Sequence, residues 1–281
     1  MFRLFAAATV SIAAAIATLT PAAAQSAPGF RPPSTCLAVA DYLHDDGIPV
    51  QYAAAGKLGQ YEVAISYEGH SMYMIETASG ERIVTDYAGY TTDPRLPTLV
   101  PMNRAHSSPY TLNPAPKNGP VLPGWGEDGA PADHQLEVND VLVRNVTTDI
   151  LRFGTVKDGN SIFIFEVAGL CSGHLGHLHH RLTDEHIAKI GRLDVVMIPV
   201  DGGLTLSHDA ARAMLDQLRS SVILPMHVRF AGALPRFLQH LNGYPVRTIS
   251  ERQLVLSLRT LPKTPTIMLL PGVSFAPRYF E

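Results

Sequence analysis

Ser161-Ile162-Phe163-Ile164-Phe165-Glu166-Val167 and, six residues later, His174-Leu175-Gly176-His177-Leu178-His179-His180 are the two runs from which the rest of the chain is best read. The first is an almost unbroken apolar run, the pattern of a buried strand. Beyond the second, Leu182-Thr183-Asp184-Glu185 offers Thr183 as a helix N-cap with two carboxylates in the first turn. Four imidazoles therefore stand between a core strand and a helix. Histidine is the commonest metal-binding side chain, and ligands held at strand ends are positioned more rigidly than ligands in free loops. One histidine in a polar turn would need no function. Four in seven residues, with distant partners, point to a metal or catalytic site.

The segments on the C-terminal side repeat the pattern. Residues 194–200 form an apolar strand that ends in Asp201-Gly202-Gly203, Ser207 or Asp209 starts a helix through Leu218, and residues 222–226 form a strand that ends in His227. On the N-terminal side, residues 62–67, 72–77 and 82–86 read as strands. Gly69-His70-Ser71 breaks the first pair, and the turn at 78–81 makes the second an antiparallel hairpin. Residues 99–102 lead into a segment containing His106, and residues 140–146 form a further strand. The Pro- and Gly-rich stretch 113–131, with the sole tryptophan Trp125, reads as a surface loop or lid. Ser34-Thr35 caps a short helix to Leu43, and residues 52–59 are weakly patterned.

Polar residues that end successive parallel strands meet at one sheet edge. His177, Asp201 and His227 end such strands, and His106 and His70 interrupt or follow others. Neutral imidazoles and carboxylates from separate elements are what a borderline ion such as zinc requires. His227, after a wholly apolar strand, would be costly to bury without a partner. Asp86 either caps a loop or orients a ligand, and Asp201 is either a turn residue or part of the site. His44, His134, His186, His208 and His240 lie without matching neighbours and are set aside.

The first residues have the form of a signal peptide. A short positive start at Met1-Phe2-Arg3 is followed by an apolar, Ala-rich run to Leu19, and Ala22-Ala23-Ala24 supplies small residues for cleavage after Ala24. No later segment is apolar enough for a membrane span. The expected organisation is a signal peptide at 1–24, an N-terminal lead-in at 25–60 that is Pro-rich over 25–33, and one domain at 61–281. Removal of 24 residues leaves 257 of the 281, with 21 basic against 25 acidic side chains, a balance of −4 that excludes a nucleic-acid partner read through a basic face. The chain is expected to be periplasmic or secreted. There Cys36 and Cys171 could pair if their Cα atoms come within about 7 Å, but two cysteines carry no spacing signature. Oligomeric state is not readable.

The motifs resemble the metallo-β-lactamase superfamily, in its branch of Zn-dependent hydrolases. Gly69-His70-Ser71 through Ile75-Glu76-Thr77 and Ile83-Val84-Thr85-Asp86 is similar to that branch's opening GHS…IET…ILTD. Residues 174–183, HLGHLHHRLT, resemble its HLGDLGHxLT, and DVVMIPVDGG and ILPMH its DVLLIPVGG and IPMH. The resemblance runs from about Tyr61 to Phe230. It implies an α+β fold, an αββα sandwich with the site along one sheet edge. The family hallmark H-x-H-x-D-H falls on Arg104-Ala105-His106-Ser107-Ser108-Pro109, where only His106 matches. No histidine occurs near Thr147-Thr148-Asp149, and the family's metal-bridging aspartate is His177. A carboxylate bridges two cations through two oxygens, whereas a neutral imidazole offers one lone pair. The resemblance thus implies one divalent transition metal, zinc by preference. Its ligands would come from His106, His177 and His227 with His174, His179 or His180, and Asp86, Asp201 or His70 would serve as proton acceptors. The expected function is metal-dependent hydrolysis of a small molecule. The alternatives are a non-catalytic metal- or ligand-binding protein on the same scaffold, or a structural domain.

Overall fold

The computed structural model describes residues 33–37, 57–103, 119–128, 130–152 and 154–274, all within the compact unit Arg31–Glu281. Two sheets face each other. The smaller has the order β13-β1-β2-β3, formed by Leu254–Leu256, Val63–Gly69, Met72–Thr77 and Arg82–Val84. The larger has eight strands: β6 (Gln135–Val138), β7 (Val141–Arg152), β8 (Gly154–Val167), β9 (Leu170–His174), β10 (Val195–Pro199), β11 (Val222–Met226), β14 (Thr266–Leu269) and β12 (Val246–Thr248). A short parallel pair, β4 (Val100–Met102) and β5 (Val121–Pro123), lies beside them. Helices α1 (Asp184–Ile190), α2 (His208–Leu218) and α3 (Ala233–His240) contribute to the apolar cluster on the outer face of the large sheet.

Sequence periodicity explains the layering. In β10, Val195 and Met197 enter the core between the sheets, while Val196 and Ile198 enter the core under the helices. A strand covered on both faces must be apolar at every position, which is why residues 194–200 and 222–226 show no alternation. The outer face of the small sheet carries a third cluster, in which Met72, Met74, Val84, Tyr87, Val100 and Met102 pack with the partly buried Trp125. Tyr73 links the layers: it is fully buried and its hydroxyl donates to the carbonyl of Pro225 at 2.8 Å. No helix among the described residues is long and apolar enough to cross a membrane.

Several expectations need correction. The apolar run at 161–167 does not lead directly into the histidines. Strand β8 turns at Ala168-Gly169, both at positive φ (54° and 79°), and returns as β9, antiparallel to it. The stretch 113–131 is not all loop, because Val121–Pro123 pairs with β4. The strand expected at 140–146 continues to Arg152. Of the expected helix from Ser34–Thr35 to Leu43, residues 35–37 form a bend and residues 38–43 lie outside the described residues.

Residues 33–37, from the expected lead-in, are held on the domain. Cys36 and Cys171 form a disulfide with Cα atoms 5.9 Å apart. The buried Glu166 carboxylate accepts from Ser34 Oγ (2.5 Å), Thr35 N (2.8 Å) and Arg144 Nε (2.8 Å). The same guanidinium donates to the carbonyls of Lys189 and Ile190, closing the C-terminal end of α1.

Candidate active site

Strands β9, β10 and β11 are mutually parallel, so their carboxyl ends share one edge. They deliver His174 and His177, Asp201, and His227 to that edge, all four buried. The small sheet brings His70 to the same place, because the backbone N–H of His227 donates to the His70 carbonyl at 2.7 Å. The Tyr67 hydroxyl donates to that carbonyl as well, at 2.9 Å. His70, Asp86 and His227 all adopt left-handed φ (53°, 48° and 61°). This conformation is costly for residues other than glycine, and it is concentrated at functional sites.

The rings form a contiguous group. His227 lies edge-on to His70 (centroids 4.4 Å apart) and to His177 (4.9 Å), and His177 lies 4.9 Å from His179. Asp201 accepts a hydrogen bond from Nδ1 of His227, which leaves Nε2 as the ring nitrogen for a lone pair. A carboxylate on the far nitrogen is the usual support of a metal-binding histidine. Asp201 itself is saturated. Its Oδ1 accepts from the N–H groups of Gly203, Leu204 and Thr205 at 2.7–3.1 Å, and Oδ2 also accepts from the Thr205 hydroxyl at 3.0 Å. Burial would raise its pKa, but the hydrogen bond from His227 and the backbone N–H donors together hold it well below the ordinary carboxylate value. Burial pushes the His70 imidazole down to about 3, with His227 and Arg229 adding to the shift and Asp201 opposing it, so this ring is neutral at pH 7.

Two of the expected ligands are otherwise occupied. His174 donates from Nε2 to the Ser71 carbonyl (2.9 Å) and accepts the Gly176 N–H at Nδ1 (3.2 Å). Burial lowers its pKa, against the influence of Asp86 and Ser71. His180 accepts the Asp149 N–H at Nε2 (3.1 Å) and donates from Nδ1 to its neighbour Arg181's carbonyl (2.9 Å). Asp86 accepts the Asn103 N–H at Oδ1 (2.7 Å), and its Oδ2 lies 4.0 Å from His174 Nε2. His106 lies outside the described residues.

Sequence reasoning missed the amides beneath the site. Asn160 accepts the His177 N–H at Oδ1 (2.7 Å), and its Nδ2 donates to Thr148 Oγ1 (2.8 Å). Asn103 accepts the Ser161 N–H at Oδ1 (2.8 Å). A polar residue directly after an apolar strand, as Asn103 follows Met102, was the available signal. Of the histidines set aside, His134 bonds the Pro123 carbonyl and His186 completes the Thr183 capping box, both apart from the ring group.

The donor set at this edge comprises several imidazoles, a carboxylate behind one of them, and His70 Nε2 buried with no hydrogen-bond partner among the described residues. These residue types fit a borderline cation. Among the described residues, however, no group of three His, Cys, Asp or Glu side chains is set to hold an ion.

Sandwiched sheets with a histidine-rich carboxyl edge define a protein of the metallo-β-lactamase fold. A family model described as a beta-lactamase superfamily domain matches residues 64–227, more than half of the chain, and the chain belongs to that superfamily. It is similar to a solved structure from Thermotoga maritima classed as a Zn-dependent hydrolase of the metallo-β-lactamase superfamily, with 25% identity, TM-score 0.54, and 74% of this chain and 98% of that one covered. The metallo hydrolase Igni18 from Ignicoccus hospitalis (16% identity, TM-score 0.50, 70% and 99% covered) shares the fold. So does the metallo-beta-lactamase fold protein YhfI from Bacillus subtilis (9%, 0.51, 76% and 98%). Among curated proteins none matches.

Proposed function

We propose that this chain is an exported, metal-dependent hydrolase of a small molecule, with one divalent transition metal, zinc by its donor chemistry, in place of the bridged pair of its superfamily. The observation that carries this reading is the Asp201–His227 pair with the rings of His70 and His177 packed on the same imidazole. His177 stands where the resemblance puts a bridging carboxylate, and residues 104–109 read RAHSSP, so ligands for a second ion are missing from the sequence. His227 and His177 would hold the ion, with His70, His106 and His179 as the remaining donors. His174 and His180, with both ring nitrogens bonded, are assigned to positioning. When bound, such an ion polarises an ester, amide or phosphoester oxygen and lowers the pKa of bound water to about 7. Asp201 fixes the tautomer of His227. Asp86, with Oδ1 held by Asn103, presents Oδ2 as the group to take a proton.

Export rests on the signal-like residues 1–24, with cleavage after Ala24 and a periplasmic or secreted destination. The Cys36–Cys171 disulfide supports it, since such bonds persist in oxidising compartments. A second reading, a non-catalytic metal- or ligand-binding protein, is favoured by the saturation of Asp201, whose two oxygens are already taken up by the turn and by His227.

Elemental analysis of the purified protein tests the metal. Wild type should carry it, His177→Ala and His227→Ala should each lose most of it, and His134→Ala, apart from the ring group, should keep it. Metal-free wild type, after growth with zinc, iron, manganese and copper available, would overturn the metal in both readings. Turnover in a panel of esters, lactams and phosphodiesters by the metal-loaded protein separates the first reading from the second.

A further inference from the structure

We infer that His208 is a positioning residue for the His227 imidazole, acting through the turn that carries Asp201; the inference rests on the metal-centre reading above. His208 is the first residue of α2, whose N-cap is Ser207, so its backbone is fixed by the start of the helix. Its Nε2–H donates to the carbonyl of Val200 at 2.9 Å. The backbone of the turn lies directly against the ring: a Cβ added at Gly202 (φ +70°) would stand 2.3 Å from Nε2. The two contacts flank Asp201 on both sides.

From there the connection to the site is short. Asp201 Oδ1 takes three backbone N–H donors of the same turn, and Oδ2 takes the His227 Nδ1–H. The Val200 N–H also donates to the Met226 carbonyl at 3.0 Å, tying the turn to the residue before His227. On α3, Phe237 (centroids 6.0 Å) and His240 (4.9 Å) pack against the His208 ring and limit its movement. The start of α2 therefore sets the position of Val200 and Gly202, these set the Asp201 carboxylate, and the carboxylate sets the orientation of the imidazole. Removal of outer partners of a metal-binding histidine typically weakens metal binding 10–100-fold. One step further out, the lower end of that range is expected.

The test uses the full chain and three variants. His208→Leu removes the donor and keeps apolar bulk against Phe237, His208→Gln keeps an N–H at the reach of Nε2, and Gly202→Ala crowds the same contact from the turn. The first readout is the deshielded Nδ1–H proton of His227 in NMR spectra of the metal-free protein, assigned by its loss in His227→Ala. The second is zinc affinity by competition with a chelator. His208→Leu and Gly202→Ala should shift or broaden the His227 signal and weaken zinc binding about tenfold, and His208→Gln should restore both. Wild-type readouts in His208→Leu, or a His208→Gln as impaired as His208→Leu, would overturn the inference. If His208→Leu shows no thermal unfolding transition, Gly202→Ala decides by the same readouts, unchanged values overturning it. If wild type binds no zinc, the metal reading fails, and the His227 proton signal alone decides the role of His208.

Discussion

Gly176 stands between two histidines that the sequence presents as equals and the structure does not. It has φ +58°, and a Cβ there would lie 2.4 Å from both Asn103 Nδ2 and Asn160 Oδ1. The turn it permits sends His174 back to the Ser71 carbonyl and places His177 against His227. Gly176→Ala combines a left-handed penalty with a clash, and urea denaturation should show a loss of about 2 kcal/mol or more. The His177 backbone amide resonance should shift, because Asn160 holds that N–H. Tyr73→Phe removes the hydroxyl bonded to Pro225 and leaves a buried carbonyl short of a donor, with an expected cost of about 1–2 kcal/mol by the same measurement. The residues of the site could be nominated from their types and spacing. Whether a given imidazole has a lone pair to spare depends on partners as distant as Ser71 from His174, and no local pattern carries that.

Helix ends were readable because a cap is a local contract between side chain and backbone. Thr183 accepts the His186 N–H, as the sequence suggests, and Ser207 accepts the Ala210 N–H, which decides between the two starts, Ser207 and Asp209, that the sequence leaves open. Thr183→Ala should cost about 1 kcal/mol in thermal or urea unfolding. Strand β9 was not readable, for an equally physical reason. Leu170-Cys171-Ser172-Gly173-His174 has neither alternation nor a strong turn signal before it, since Ala168-Gly169 lacks the Asn or Asp that usually marks such a two-residue turn. Its conformation comes from pairing with β8 on one side and β10 on the other. That pairing carries the histidine-rich segment to the edge shared with Asp201 and His227.

Across the molecule, the disulfide and the Arg144–Glu166 pair hold residues 33–37 against β8, β9 and the end of α1. Cys36→Ser with Cys171→Ser should lower stability by about 2–5 kcal/mol, read as a fall in Tm that reductant reproduces in wild type. Burial tends to raise the Glu166 carboxyl, but hydrogen bonds from Ser34, Arg144 and Thr35 outweigh it and hold the pKa below the ordinary value. A group depressed in the folded state gives stability that is fully present above its unfolded pKa, about 4.3 for Glu, and lost as pH falls through the folded value. Tm of wild type should therefore fall more steeply below about pH 4.3 than Tm of Glu166→Gln. That variant should also be less stable at neutral pH by about 3–5 kcal/mol, because Arg144 loses its buried counter-charge.

By itself the sequence determined most of the elements around the site. Apolar runs at β8, β10 and β11, the cap at Thr183, and histidines at strand ends follow from side-chain chemistry acting over a few residues. Only the tertiary structure decided which histidines share a centre, that Cys36 meets Cys171, and that Asn160 and His208 stand behind the site. Those relations join residues far apart in the chain, and they exist only once strands pair and sheets pack.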